Sequence, residues 1–210
     1  KKIKEILGPD APVDSWDLVL KPENLAKLKQ CGVYFLDTPS EILPTVLNYL
    51  GEDPNSFDEA VIRKAEARMA ELRPYITQFH SSEYINALAN GDACIAVGWS
   101  GDIFQAKARA EEAGKGVEIN YVIPKEGAAM WFDMMAIPKD AKHPDNAHKF
   151  INYLLRPDVM AGISNYVQYA SANKASLATV DKALLDNPAV YPPEETKKKL
   201  FSLAVLPPDV

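Results

Sequence analysis

The chain has no strongly basic stretch, no apolar run long enough to cross a bilayer, only two cysteines and only three histidines. Each shortage removes a class of function. A formal net charge of −6, with no basic stripe interleaved with aromatics, leaves no footprint for nucleic-acid phosphates. Nucleic acid is therefore not expected as a partner, and cationic ligands fit better. The longest apolar stretches are strand-sized and broken by charge, so no bilayer-spanning helix is predicted. No Gly-rich phosphate loop of either common kind is present. His80 ends a predicted strand, while His143 and His148 flank a polar helix start. Their spacing matches neither a metal site nor a catalytic triad, so surface or capping roles are expected. Internal repeats, low-complexity tracts and flexible linkers are also lacking: the 16 prolines and 10 glycines are spread along the chain. The chain opens at Lys1-Lys2-Ile3-Lys4 with no Met and no charged-then-apolar leader, so its beginning is expected to be missing or processed.

The two cysteines leave a choice open. Cys31 and Cys94 each fall at a predicted strand start, and neither lies in a Cys-x-x-Cys motif or near a histidine. Zinc is a poor fit. A disulfide between neighbouring strands and a pair of buried free thiols both remain possible.

The 210 residues, 47% hydrophobic and 25% charged, suffice for one large α/β domain or two lobes. Ser56-Phe57-Asp58-Glu59 has capping-box form, with Val61, Ala65, Met69 and Leu72 following at helical spacing, which predicts a helix over about 56–73. Thr38-Pro39-Ser40-Glu41 is a second such box, with Pro at the first helical position, opening a helix that should stop near Gly51. Strands are predicted at 31–36, 75–80, 93–98, 117–123 and 130–137, with helices near 81–89 and 102–113. This alternation up to residue 123 predicts an α/β layer with a largely parallel sheet. Beyond Ile123-Pro124-Lys125-Glu126-Gly127 the rhythm changes to helices at about 144–155 and 157–167, then to Pro-rich sequence, so a lobe boundary is expected near 127–131.

Two clusters carry the chemistry: Trp99-Ser100-Gly101-Asp102 and Trp131-Phe132-Asp133. An indole face attracts positive charge and a carboxylate accepts charge-assisted hydrogen bonds, so each cluster suits an organic cation, and two suit a cation charged at both ends. A two-residue period would put Trp131 and Asp133 on one strand face, lining a cleft. Glu41, Trp99 and Asp102 occupy strand-to-helix junctions, where ligands collect in doubly wound sheets. Taken singly, each acid has a structural explanation: Glu41 as the capping-box acid, Asp102 as a first-turn complement to the helix dipole, Asp133 as a solvated strand end. Paired acids could also serve an enzyme, such as a carboxylate-based hydrolase acting on a cationic or sugar substrate. No activated acid, base, metal or cofactor site supports that alternative, so an enzyme is not expected. A purely structural fragment without ligand is the third possibility.

Five stretches, in order, add a resemblance: Phe35–Glu41, Phe79–Ile85, Gly98–Asp102, Ile123–Gly127 and Tyr169–Lys174. Together they resemble the periplasmic polyamine-binding proteins of bacterial ABC transporters over essentially the whole chain. The resemblance implies an α/β, type II periplasmic-binding-protein fold of two lobes, only one of them complete here. It implies a second lobe at 1–128, a segment at 129–168 returning to the first lobe, and a crossover with a C-terminal helical segment at 169–210. It further implies a monomeric periplasmic protein that captures putrescine or spermidine and presents it to a membrane ABC permease. Glu41, Trp99, Asp102, Trp131, Asp133 and Tyr169 would be its ligand contacts, with Glu41 and Asp102 on one ammonium, Asp133 on the other and the aromatics around the methylenes. The family pairs cysteines at the positions of Cys31 and Cys94, which implies a disulfide and an oxidising compartment. Relative to the family, an N-terminal stretch and a C-terminal tail are absent. Trp131 offers more π-surface than a phenyl ring would, which favours spermidine over putrescine.

Overall fold

The computed structural model describes residues 1–205, so the end of the segment expected over 169–210 lies outside the described residues. The chain divides into two compact units, one comprising residues 1–130 and the tail from Glu194, the other Trp131–Pro193.

The first unit opens with three helices, α1 (Lys2–Leu7), α2 (Asp17–Leu20) and α3 (Pro22–Leu28). The alternating layer then follows: β1 (Val33–Phe35), α4 (Pro39–Tyr49), α5 (Glu59–Leu72), β2 (Gln78–Phe79), α6 (Glu83–Asn90), β3 (Ile95–Ala96) and α7 (Ser100–Ala113). The three strands are parallel in the order β2-β1-β3, with Tyr34 opposite Gln78 on one side and Ala96 on the other. Buried Val33 and Phe35 of β1 join Leu25, Leu28, Val46, Leu72 and Tyr84, all at most 1% exposed, in one core. Val33 and Phe35 share one face of β1 and are buried there, while Tyr34 on the other face is part-buried. Because β1 is central, the chain leaves it toward β2 and later returns to its other side as β3. The switch point of the sheet therefore lies between β1 and β3, at their carboxyl ends.

Helix boundaries follow the sequence closely, but two capping assignments change. The helix expected from Ser56 starts at Glu59, because Asp58 is the residue whose carboxylate accepts from the Ala60 amide at 2.8 Å. At α4, Thr38 occupies the N-cap with no side-chain capping bond, so no capping box forms. His80 does cap: its Nδ1 accepts from the amides of Ser82 and Glu83, both at 3.0 Å, at the start of α6.

Two expected strands are corrected. Residues 117–123 form no strand; Ile119 is buried in the core and the Tyr121 ring lies 5.4 Å from that of Phe104, where burial pushes its phenol up to about 12. The strand expected over 130–137 is confined to β4 (Ala129–Met130), which pairs in parallel with β5 (Phe201–Ser202). A strand needs a neighbour for its backbone groups, and among the described residues only this short stretch has one. The Trp131 and Asp133 side chains therefore do not share a strand face.

The segment before β4 is latched to the first helices. Glu126 accepts from the Ser15 hydroxyl and, at 3.1 Å, from the Trp16 amide, while the Trp16 indole donates to the Gly127 carbonyl at 2.8 Å. Gly127 sits at φ 104°, and a Cβ there would lie 2.0 Å from the Lys199 carbonyl oxygen. Gly127→Ala should cost at least about 1–3 kcal/mol from backbone strain alone. Denaturant unfolding of the variant checks this, and an unchanged midpoint would contradict it.

The second unit contains α8 (Pro144–Leu154), α9 (Pro157–Val167) and α10 (Lys182–Leu185). Helix α11 (Glu194–Lys197) returns to the first unit ahead of β5. Inside the second unit, buried Ser164 donates to the Tyr169 carbonyl, and the Ser171 amide donates to the Tyr191 hydroxyl at 3.0 Å. These bonds hold the turn that carries Tyr169.

Candidate ligand-binding site

At the carboxyl ends of β1 and β3 the chain turns into α4 and α7, and these turns carry Glu41, Trp99 and Asp102. The three side chains form a linked group. The Trp99 indole N–H donates to Glu41 Oε2 at 2.8 Å, which gives this acid a partner other than its own helix end. Glu41 is thus an aromatic-bound carboxylate rather than a capping-box acid. Asp102 lies in the first turn of α7, where the helix dipole favours its charge, and its Oδ2 accepts from the Tyr84 hydroxyl at 2.7 Å. The same hydroxyl accepts from the Trp99 amide at 3.3 Å. Among the described residues, the second oxygen of each carboxylate accepts no hydrogen bond. All three residues are part-exposed, so this edge presents two carboxylates and an indole with no Lys or Arg in the hydrogen-bonded group.

Tyr84 is the member that sequence reasoning missed. It is fully buried in the second position of α6, the helix packed against α7. The available signal was its position just after a strand-to-helix turn at the same edge of the sheet.

The Cys31–Cys94 disulfide braces this edge from the other end of the strands, with the Cα atoms 5.4 Å apart. It ties the turn before β1 to the residue just before β3. The disulfide is thus the alternative realised, and free thiols are excluded because both cysteines are paired.

In the second unit, the Trp131 and Tyr169 rings meet edge-to-face at 6.2 Å, and Trp131 is 38% exposed. Asp133 follows two residues on and is exposed. The structure thus assembles Glu41, Trp99 and Asp102 in one unit and Trp131 with Tyr169 in the other.

Chemically, carboxylates with a free oxygen beside an ordered indole suit an ammonium group. Beside this edge, a pocket of about 170 Å³ is lined mostly by the apolar side chains of Leu36, Ile42, Leu43, Met69 and Phe79, with Asp37, Thr38 and Pro39 completing its wall. Among the described residues, no group of three or more His, Cys, Asp and Glu could hold a metal ion, and no helix is long and apolar enough to cross a membrane.

The family model for bacterial extracellular solute-binding proteins matches residues 4–192. The putrescine-binding periplasmic protein PotF of Escherichia coli is 56% identical over 210 residues, covering all of this chain and 57% of that protein. The spermidine/putrescine-binding periplasmic protein of the same organism is 31% identical over 186 residues, covering 89% of this chain and 50% of its own length. Among solved structures, the spermidine/putrescine ABC transporter substrate-binding protein PotD of Streptococcus pneumoniae aligns with a TM-score of 0.73 at 28% identity, over 94% of this chain and 58% of that one. The chain spans about half the length of the curated relatives it matches.

Proposed function

This chain belongs to the family of bacterial extracellular solute-binding proteins, and we propose that it forms the larger part of a periplasmic protein that binds a polyamine and delivers it to an ABC permease. The observation that carries the reading is the Glu41–Trp99–Tyr84–Asp102 group, an anionic and aromatic seat at the switch point of the sheet. Alkyl amines resemble Lys in basicity, with a pKa of roughly 10, so a polyamine is multiply charged at neutral pH and needs several anionic acceptors. Trp131, Asp133 and Tyr169 offer a second aromatic and acidic seat on the other unit. The reading is that of a binding protein, not an enzyme, acting as a monomer. In its domain organisation, residues 1–128 form the second lobe, 129–168 return to the first lobe and the remainder crosses back.

Relatives 56% and 52% identical carry putrescine in their names, and those naming spermidine as well are 30–33% identical. These names favour putrescine as the first ligand to test, whereas Trp131 favours spermidine. Calorimetric titration of the intact protein with diamines, triamines and sugars tests the reading: saturable binding of a polyamine and none of sugars supports it, and the reverse defeats it. The role of Trp131 is tested in the same series. Trp131→Phe should lower the spermidine-to-putrescine affinity ratio by a few-fold, a loss of roughly 0.5–1 kcal/mol in cation–π attraction. An unchanged ratio would remove Trp131 from ligand selection.

A further inference from the structure

We propose that Tyr84 is a positioning residue that aims the Asp102 carboxylate and the Trp99 backbone together at the ligand, an inference that rests on the polyamine-binding reading. Tyr84 is 0% exposed, so its hydroxyl cannot meet the ligand and acts only through what it holds. It holds two groups at once: it donates to Asp102 Oδ2 at 2.7 Å and accepts from the Trp99 amide at 3.3 Å. Trp99 in turn donates its indole N–H to Glu41. One buried phenol thus connects the carboxylates of Asp102, directly, and Glu41, through Trp99.

The local backbone is shaped around that ring. A Cβ on Gly98 would come within 2.5 Å of the Tyr84 ring carbon Cε2 and 2.8 Å of Cζ, so any larger residue would push the phenol away. Gly98 is therefore the residue that lets the strand-to-helix turn lie on the ring. Asp102 is the third residue of α7, and without the Tyr84 bond its side chain could swing among rotamers open to a part-exposed acid. A hydroxyl anchored in the core removes that freedom while leaving Oδ1 for the ligand. Binding then costs less ordering of the acceptor, which is how preorganisation raises affinity.

The test is a double-mutant cycle in the intact protein, read by calorimetric titration with putrescine and spermidine. Tyr84→Phe keeps the ring and deletes the hydroxyl. It should weaken binding roughly ten- to hundredfold, the scale of a lost hydrogen bond to a charged group. In an Asp102→Ala background the same substitution should cost at least several-fold less, because only the Trp99 amide is left for the hydroxyl to hold. Gly98→Ala, which displaces the ring by a different route, should repeat both results if Tyr84→Phe fails to fold. Binding by Tyr84→Phe equal to the parent's, or an equal loss in both backgrounds, overturns the proposal, since a merely structural tyrosine would act independently of Asp102. A parent that binds no polyamine overturns the functional reading and this inference with it, whereas an Asp102→Ala variant that binds polyamine as the parent does overturns this inference alone.

Discussion

Asp102→Asn in the intact protein should weaken polyamine binding by roughly 2–5 kcal/mol, the range for removing one partner of a hydrogen-bonded charge pair. The midpoint of thermal unfolding should move little. The asymmetry follows from the geometry. Asparagine keeps a side-chain oxygen that can accept the Tyr84 hydroxyl, so the contact between α6 and α7 survives, while the charge that faces an ammonium is lost. Asp102 is also part-exposed, and its first-turn position stabilises α7 only modestly, by roughly 0.3–1 kcal/mol. Titration and thermal unfolding of the same preparation separate the two effects. Unchanged affinity with a lowered unfolding midpoint would assign Asp102 to helix stability alone.

Replacing both cysteines, as Cys31→Ser with Cys94→Ser, should cost the protein about 4 kcal/mol of stability, from the entropy of closing a loop across a sequence separation of 63. Double replacement avoids a stray thiol, and denaturant unfolding beside the oxidised parent reads the difference. Thiol titration of the unreduced, denatured parent should find none, and two would show that the bridge does not form. The expected loss falls on the unit that carries Glu41, Trp99 and Asp102, so polyamine affinity should fall only where that unit begins to unfold. An identical unfolding curve for parent and variant would contradict a stabilising role.

How much of this was legible in the sequence depended on what holds each element together. Helices α4 to α9 announced themselves through apolar spacing, prolines at first helical positions and glycines beyond the ends, all local signals. Strands β1, β2 and β3 were legible for the same reason, as short apolar runs between turn residues. The stretches 117–123 and 130–137 have the composition of strands, but strand formation depends on a neighbour that no local pattern reveals.

The site shows the same division. Residue type and junction position singled out Glu41, Trp99 and Asp102, and the fold brings them to one edge. What local patterns mistook was the partner of Glu41: capping chemistry pointed to its own helix end, and the structure gives it the indole of Trp99 from a different strand end. Tyr84 escaped notice because an isolated tyrosine in a helix is ordinary core material until a carboxylate is seen against its hydroxyl. The disulfide lay between. Spacing left it open, the family resemblance favoured it, and the parallel pairing of β1 with β3 brings the two cysteines together.

The claim on which the account turns is that this protein recognises a cation charged at both ends, and comparing putrescine with butylamine in calorimetric titrations of the intact protein tests it most directly. The two ligands share a four-carbon chain and differ in one ammonium. Putrescine should bind at least about thirtyfold more tightly, as expected when a second ammonium–carboxylate pair of roughly 2 kcal/mol or more is made. Equal affinities for the diamine and the monoamine would contradict the account.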